Sequence, residues 1–125
     1  MILDTNALSA VADDVPGAVK AFRGADVIAL PVIVLGEYRF GIAQSIRRSH
    51  YEAWLARLIG ASRVLDVNPE TTLHYVEVRL ALKKLGRPIP SNDVWIAALS
   101  HQHSLPILSR DRHFDLVGGV TRLSW

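Results

Sequence analysis

Met1-Ile2-Leu3-Asp4-Thr5-Asn6 decides the fold. Two apolar residues stop at an acid, and residues able to cap a helix follow at once. This is the pattern of a short buried strand handing over to a helix, with cap chemistry from Thr5-Asn6 and a helix near Ala7 to Ala12. The same alternation continues along the chain. Pro16 suits the first turn of a helix to about Phe22, ended by Gly24, and Val27 to Leu30 is the short continuous apolar run of a buried strand. Pro31 opens a helix through about Ala43. Arg47 to Ile59 is amphipathic, with Tyr51, Trp54, Leu55, Leu58 and Ile59 on one face, a larger apolar stripe than one exposed helix normally shows, so part is expected to meet the core and part a second subunit or another partner chain.

Arg63 to Val67 reads as a further strand. Pro69 opens a helix through about Leu85, stopped by Gly86, and Ser91 is placed to cap a helix from about Asn92 to His103. Pro106 to Ser109 and Thr121 to Trp125 complete the strands. Strands alternating with helices predict an α/β chain, a three-layer α/β/α sandwich around a central, mostly parallel sheet. The 125 residues fit one domain, 1–125, with no linker, repeat or low-complexity run.

Half of the residues are hydrophobic, which excludes a disordered chain. The absence of cysteine excludes a disulfide scaffold, a thiolate metal site and cysteine catalysis. The start lacks the basic stretch and long apolar run of a secretory signal, and Pro31 interrupts the longest apolar stretch, Val27 to Leu35. A soluble, cytoplasmic protein is expected. Fourteen basic residues face twelve acidic ones, for a net charge of +2. Arginine outnumbers lysine eleven to three, a mild lean toward phosphate partners.

Parallel sheets place ligands beyond the carboxyl ends of their strands. Asp4 and Asp111 follow predicted strands there. Glu37 shares a helical face with Ile33, Val34, Phe40 and Gly41, where an uncompensated carboxylate costs several kcal/mol. Asp93 opens a helix whose own face continues through Ile96, Ala97 and Ser100. Each acid alone has an ordinary structural role: an Asx turn or cap for Asp4 and Asp111, an arginine pair for Glu37, a helix-dipole contact for Asp93. Four clustered carboxylates do not stay ionised together without a cation, and all-oxygen donors suit Mg²⁺ or Mn²⁺. Such a cation orients water and offsets charge at a phosphodiester. With these four acids set aside, 14 basic face 8 acidic residues, or +6, a frame suited to nucleic acid. The five histidines carry no zinc signature, and His113, near Asp111, has two readings, a contact to substrate and, ahead of it, a surface residue. No nucleophile elbow, Walker loop or dinucleotide fingerprint occurs. Trp54, Trp95 and Trp125 read as core or interface.

The ordered motifs Met1-Ile2-Leu3-Asp4-Thr5-Asn6, Val34-Leu35-Gly36-Glu37, Ser91-Asn92-Asp93-Val94-Trp95-Ile96-Ala97-Ala98 and Leu108-Ser109-Arg110-Asp111-Arg112-His113-Phe114 resemble those of PIN-domain ribonucleases. The short form is similar to VapC-type toxins of toxin–antitoxin pairs. The resemblance covers nearly the whole chain. It implies a parallel sheet with flanking helices, Mg²⁺ or Mn²⁺ dependence, endoribonuclease activity, a homodimer and a VapB-like antitoxin. Position by position it assigns Asp4, Glu37, Asp93 and Asp111 to the acidic quartet that holds the metal, with Asn6 and Ser109 in support. Asp115 matches a further acid of some members, and the sequence leaves open whether Asp111 or Asp115 stands nearer the metal. Glu37, in its apolar setting, is the expected proton acceptor, and Arg39, Arg110 and Arg112 are candidate phosphate partners. Two other readings stand beside this one. One is a PIN-like module that binds RNA or protein without cutting. The other is a phosphatase similar to the haloacid-dehalogenase class, against which Asn6 and the scarcity of lysine speak.

Overall fold

A computed structural model describes all residues, 1–125. Five strands form one sheet: β1 (Ile2–Leu3), β2 (Ala29–Pro31), β3 (Arg63–Leu65), β4 (Ile107–Leu108) and β5 (Arg122–Leu123). Their spatial order is β3-β2-β1-β4-β5, and every pairing is parallel. Six helices flank the sheet: α1 (Thr5–Ala12), α2 (Pro16–Arg23), α3 (Val32–Ile42), α4 (Arg48–Gly60), α5 (Pro69–Leu85) and α6 (Ser91–His103). A 3-10 helix, Arg112–Leu116, separates β4 from β5. This is the α/β layering expected from the alternation of elements, with a sheet that is parallel throughout.

The strand order has a functional consequence. The chain begins in the middle of the sheet, winds outward through β2 and β3, then returns to the other side of β1 for β4 and β5. The crossovers therefore depart in opposite directions at the β1–β4 boundary. At such a switch point the connections after adjacent strands diverge and leave a crevice at the carboxyl edge. Ile2 pairs with Ala29 on one side and Ile107 on the other, so the first acid of the chain is delivered to the centre of that edge.

The core gathers the strands and the inner faces of the helices. Ile2, Leu3, Leu30, Ile107 and Leu108 are fully buried, as are Leu8 on α1, Val34 on α3, and Ile96, Ala97 and Leu99 on α6. Ala97 and Ala98 let α6 lie close, and Trp95 stacks on Tyr75 of α5 with ring centroids 4.0 Å apart. Asn68 and Thr71 form a capping box at the start of α5, and Gly86 ends that helix at φ 64°, a conformation costly for any side chain with a Cβ.

Several local expectations change. Asp4 rather than Thr5-Asn6 caps α1, because its carboxylate accepts the Thr5 N–H at 2.8 Å. Pro90 precedes α6, and Ser91 makes no side-chain cap. The second strand starts at Ala29, with Val27 exposed, and the third ends at Leu65. The apolar stripe of α4 is consumed within the fold. Leu55 and Leu58 are buried, and Tyr51, Trp54 and Ile59 pack against the core. The unpartnered apolar side chains lie elsewhere: Phe40 and Ile46 near the α3–α4 connection, and Leu73, Val76 and Leu80 in a row on α5. No helix is long and apolar enough to cross a membrane.

Candidate metal centre

Asp4 stands immediately beyond β1 and is only 4% exposed. Three donors satisfy its carboxylate. The Thr5 N–H donates to Oδ1, while the Ser109 hydroxyl at 2.7 Å and Asn6 Nδ2 at 3.1 Å donate to Oδ2. Ser109, fully buried, follows β4, so this network ties together the two strands of the switch point. Asn6 extends it, accepting the Arg110 N–H through Oδ1 at 3.1 Å. The Ser109 hydroxyl oxygen also accepts the Asp111 N–H at 2.9 Å, which sets the backbone of the next acid.

Asp93 projects from the first turn of α6 toward the same edge and is 9% exposed. Asp111 caps the 3-10 helix by accepting the His113 N–H at 3.0 Å. The His113 ring closes the group: Nδ1 lies 3.0 Å from Asp93 Oδ2 and 2.9 Å from Asp111 Oδ1. Glu37, half-buried on α3, accepts the Thr5 hydroxyl at 3.1 Å.

Electrostatics records the convergence. Burial pushes the Asp4 carboxyl above its ordinary range, against the hydrogen bonds from Ser109 and Thr5, and the charges of Asp93 and Glu37 push it further. Asp93 is likewise raised, first by burial and then by the charges of Asp111 and Glu37, with the His113 hydrogen bond opposing. The hydrogen bond to Asp93 raises His113 from the ordinary histidine value, burial opposes the shift, and the charges of Asp111 and Asp93 add to it. The four acids are therefore close enough to repel one another. The His113 ring bridges two of them, and this is a setting that a divalent cation would relieve. One ligating atom each of Asp93, Asp111 and His113 lies within 4.8 Å of the other two. With Asp4 beside them, the donor set is mainly carboxylate oxygen and fits a hard cation of the Mg²⁺ or Mn²⁺ kind.

Asp115 does not join the group. Arg122 grips it through Nε at 2.8 Å and Nη2 at 2.9 Å, and also donates to the Ser109 carbonyl oxygen at 3.0 Å. Asp111 is thus the acid beside Asp93, and Asp115 is half of an ion pair that braces the Ser109 backbone. The apolar enclosure expected around Glu37 is only partial: Val34 is buried, but Phe40 is 86% exposed. Asp4 is the most buried of the four acids. Arg39 faces Glu52 at 3.5 Å, and the Arg110 guanidinium lies 4.8 Å from the centre of the Trp125 ring, so neither lies free beside the acids. His113, read from sequence as a surface residue, belongs to the cluster. Its position two residues after Asp111 is the signal behind the alternative reading of a residue at the site.

The PIN-domain family model matches residues 1–120. Ribonuclease VapC5 of Mycobacterium tuberculosis is 28% identical over 97 residues, spanning 76% of this chain and 72% of that protein. Among solved structures, VapBC2 from Rickettsia felis, bound to a DNA fragment from their promoter, superposes with a TM-score of 0.87. It is 21% identical and covers 99% of this chain and 97% of that one. VapBC-5 from Mycobacterium tuberculosis, a member of the VapBC family of toxin–antitoxin systems, gives 0.74 at 26% identity, covering 98% and 94%.

The shift at Asp4 has a testable sign. An acid less acidic in the folded than in the unfolded chain costs stability when ionised, and that cost is relieved as pH falls through the raised value toward about 3.9, the unfolded value. In EDTA, urea unfolding of wild type and Asp4→Asn should show wild type gaining on the variant as pH drops from about 7 to about 4. A difference that stays constant with pH would contradict a buried, strained carboxylate.

Proposed function

The chain belongs to the PIN-domain family, and on that premise we propose that it is an endoribonuclease, the toxin of a VapBC-type toxin–antitoxin pair, hydrolysing RNA phosphodiesters with a divalent cation. One observation carries the reading: Asp4, Glu37, Asp93 and Asp111 come from four separate elements and meet at the switch-point crevice. A relative is named a ribonuclease, which supports RNA as the substrate class. Residues 1–125 serve as one nuclease domain, acting in the cytoplasm where its substrate is made.

Asp4, Asp93 and Asp111 would hold Mg²⁺, with Mn²⁺ as a substitute and Glu37 completing the acidic shell. Bound there, the cation would acidify a water and offset charge developing on the phosphate. The chain supplies the rest. Ser109 and Asn6 fix the Asp4 carboxylate through the donors described above, so it is oriented before substrate arrives. Thr5 orients Glu37, which in this reading accepts a proton from the attacking water. His113 bridges Asp93 and Asp111 through Nδ1. Arg110 and Arg112, both exposed, flank Asp111 in sequence; the Arg110 guanidinium lies over Trp125, which leaves Arg112 to contact substrate phosphate.

The phosphatase reading loses its footing at Asn6. That class is expected to carry a second carboxylate there, whereas the Asn6 amide is occupied by Asp4, Ser109 and the Arg110 N–H. The cognate partner is a VapB-like antitoxin, in keeping with the VapBC systems that share this fold. The chain also pairs with itself, and the row Leu73, Val76 and Leu80 on α5 is the surface that calls for such a partner.

Cleavage of a panel of structured RNAs with Mg²⁺, Mn²⁺ or EDTA tests the reaction. Asp4→Asn and Asp93→Asn should each lose more than about tenfold in rate, about 1.4 kcal/mol of transition-state stabilisation. EDTA should abolish turnover. Full activity in both variants or in EDTA would sink the mechanism, and binding without any cutting would favour the non-catalytic module. Light scattering at high micromolar concentration should give twice the 13.8 kDa chain mass, and a strictly monomeric mass would remove the self-pairing.

A further inference from the structure

A second gathering of ligating side chains lies at the opposite edge of the sheet. His74 and Glu77 stand three residues apart, on one face of α5. His101 reaches them from the last turns of α6, which packs alongside. One ligating atom of each lies within 4.8 Å of the other two, and the two imidazole rings meet edge to face with centroids 6.5 Å apart. The three line a pocket of about 640 Å³ that also includes Ser104 and Thr121. Pro106, directly before β4, borders it, which places it at the amino edge. Along α6, His101 is eight residues from Asp93, about 12 Å at the helical rise, so the two clusters are distinct.

The His101 ring is held as a metal ligand is held. Its Nε2 lies 2.8 Å from the Gly118 carbonyl oxygen. A carbonyl only accepts, so Nε2 carries the hydrogen and Nδ1 keeps the lone pair. Such an outer bond to a backbone carbonyl fixes the orientation and tautomer of metal-bound imidazoles. Gly119, at φ 80°, permits the close approach: a Cβ there would stand 3.2 Å from the same Nε2. Glu77 has no basic partner among the ion pairs of the structure, so its carboxylate is available.

We propose that His74, Glu77 and His101 bind a divalent metal ion of the zinc class, joining α5 to α6 and to the Gly118–Gly119 backbone. Two imidazoles and one carboxylate are a zinc donor set, with the open pocket leaving the fourth position to water. Mg²⁺, which prefers oxygen donors, is disfavoured here and preferred at the acidic cluster. The two clusters thus sort cations by donor chemistry.

Calorimetric titration of ZnCl₂ into the full chain, with Mg²⁺ in excess, tests the assignment. Wild type and Asp93→Asn should share one zinc equivalent, and His74→Gln and Glu77→Gln should weaken it by about tenfold or more. Co²⁺ in place of Zn²⁺ should give visible absorption that His74→Gln removes. Glu77 is exposed, so Glu77→Gln should melt like wild type in EDTA and keeps the test valid should His74→Gln fold poorly. Absence of a zinc site in wild type, survival of that site in both glutamine variants, or its loss in Asp93→Asn would overturn the proposal.

Discussion

Burial of the Asp4 carboxylate is the constraint on which the rest of the carboxyl edge depends. Removing an ionised group from water is costly unless hydrogen bonds replace its hydration. Here the replacements come from the Thr5 backbone, the Asn6 amide and the Ser109 hydroxyl. Each donor also has a structural task. Thr5 begins α1, Asn6 links to the backbone after β4, and Ser109 sets the amide of Asp111. A single buried charge therefore fixes the start of α1, the β1–β4 register at its carboxyl end and the direction of the loop that carries the next acid.

The fold makes this arrangement possible and the arrangement strains the fold. A parallel sheet entered at its middle strand opens a crevice where the connections diverge, and α3, α6 and the 3-10 helix each deliver one acid to it. Ordinary packing would exclude such a set, because every carboxylate added raises the cost of ionising its neighbours. His113 offsets part of that repulsion, and Arg122, locked on Asp115, braces the Ser109 carbonyl from behind. Repulsion between buried carboxylates is concentrated at this edge, and that concentration separates a site from an incidental acidic surface.

Much of this was legible in the residues because it is local. Ile2-Leu3 before Asp4, and Ile107-Leu108 before Ser109, show where strands end, and the helical runs between them require crossovers and hence a parallel sheet. The acids were visible as polar residues in apolar company. What escaped depends on contacts between distant segments. Asp111 and Asp115 have similar sequence surroundings, and only the approach of Arg122 separates them. The Glu37 face looked enclosed because helical spacing does not say which of its neighbours meets the core, and Phe40 does not. The α4 stripe looked excessive for one helix, yet the core absorbs it. His74 and His101 are far apart in sequence and carry no recognisable spacing, so their meeting depends on how α5 packs against α6.

The repulsion among the acids at the switch point is what a divalent cation would relieve. The most direct measurement is the anomalous scattering of Mn²⁺ diffused into crystals of the wild-type chain. A peak enclosed by Asp4, Asp93 and Asp111 is expected, with His113 displaced from its bridge between the two acids. A crevice that holds no Mn²⁺ at saturating concentration, with His113 still joining Asp93 to Asp111, would contradict it.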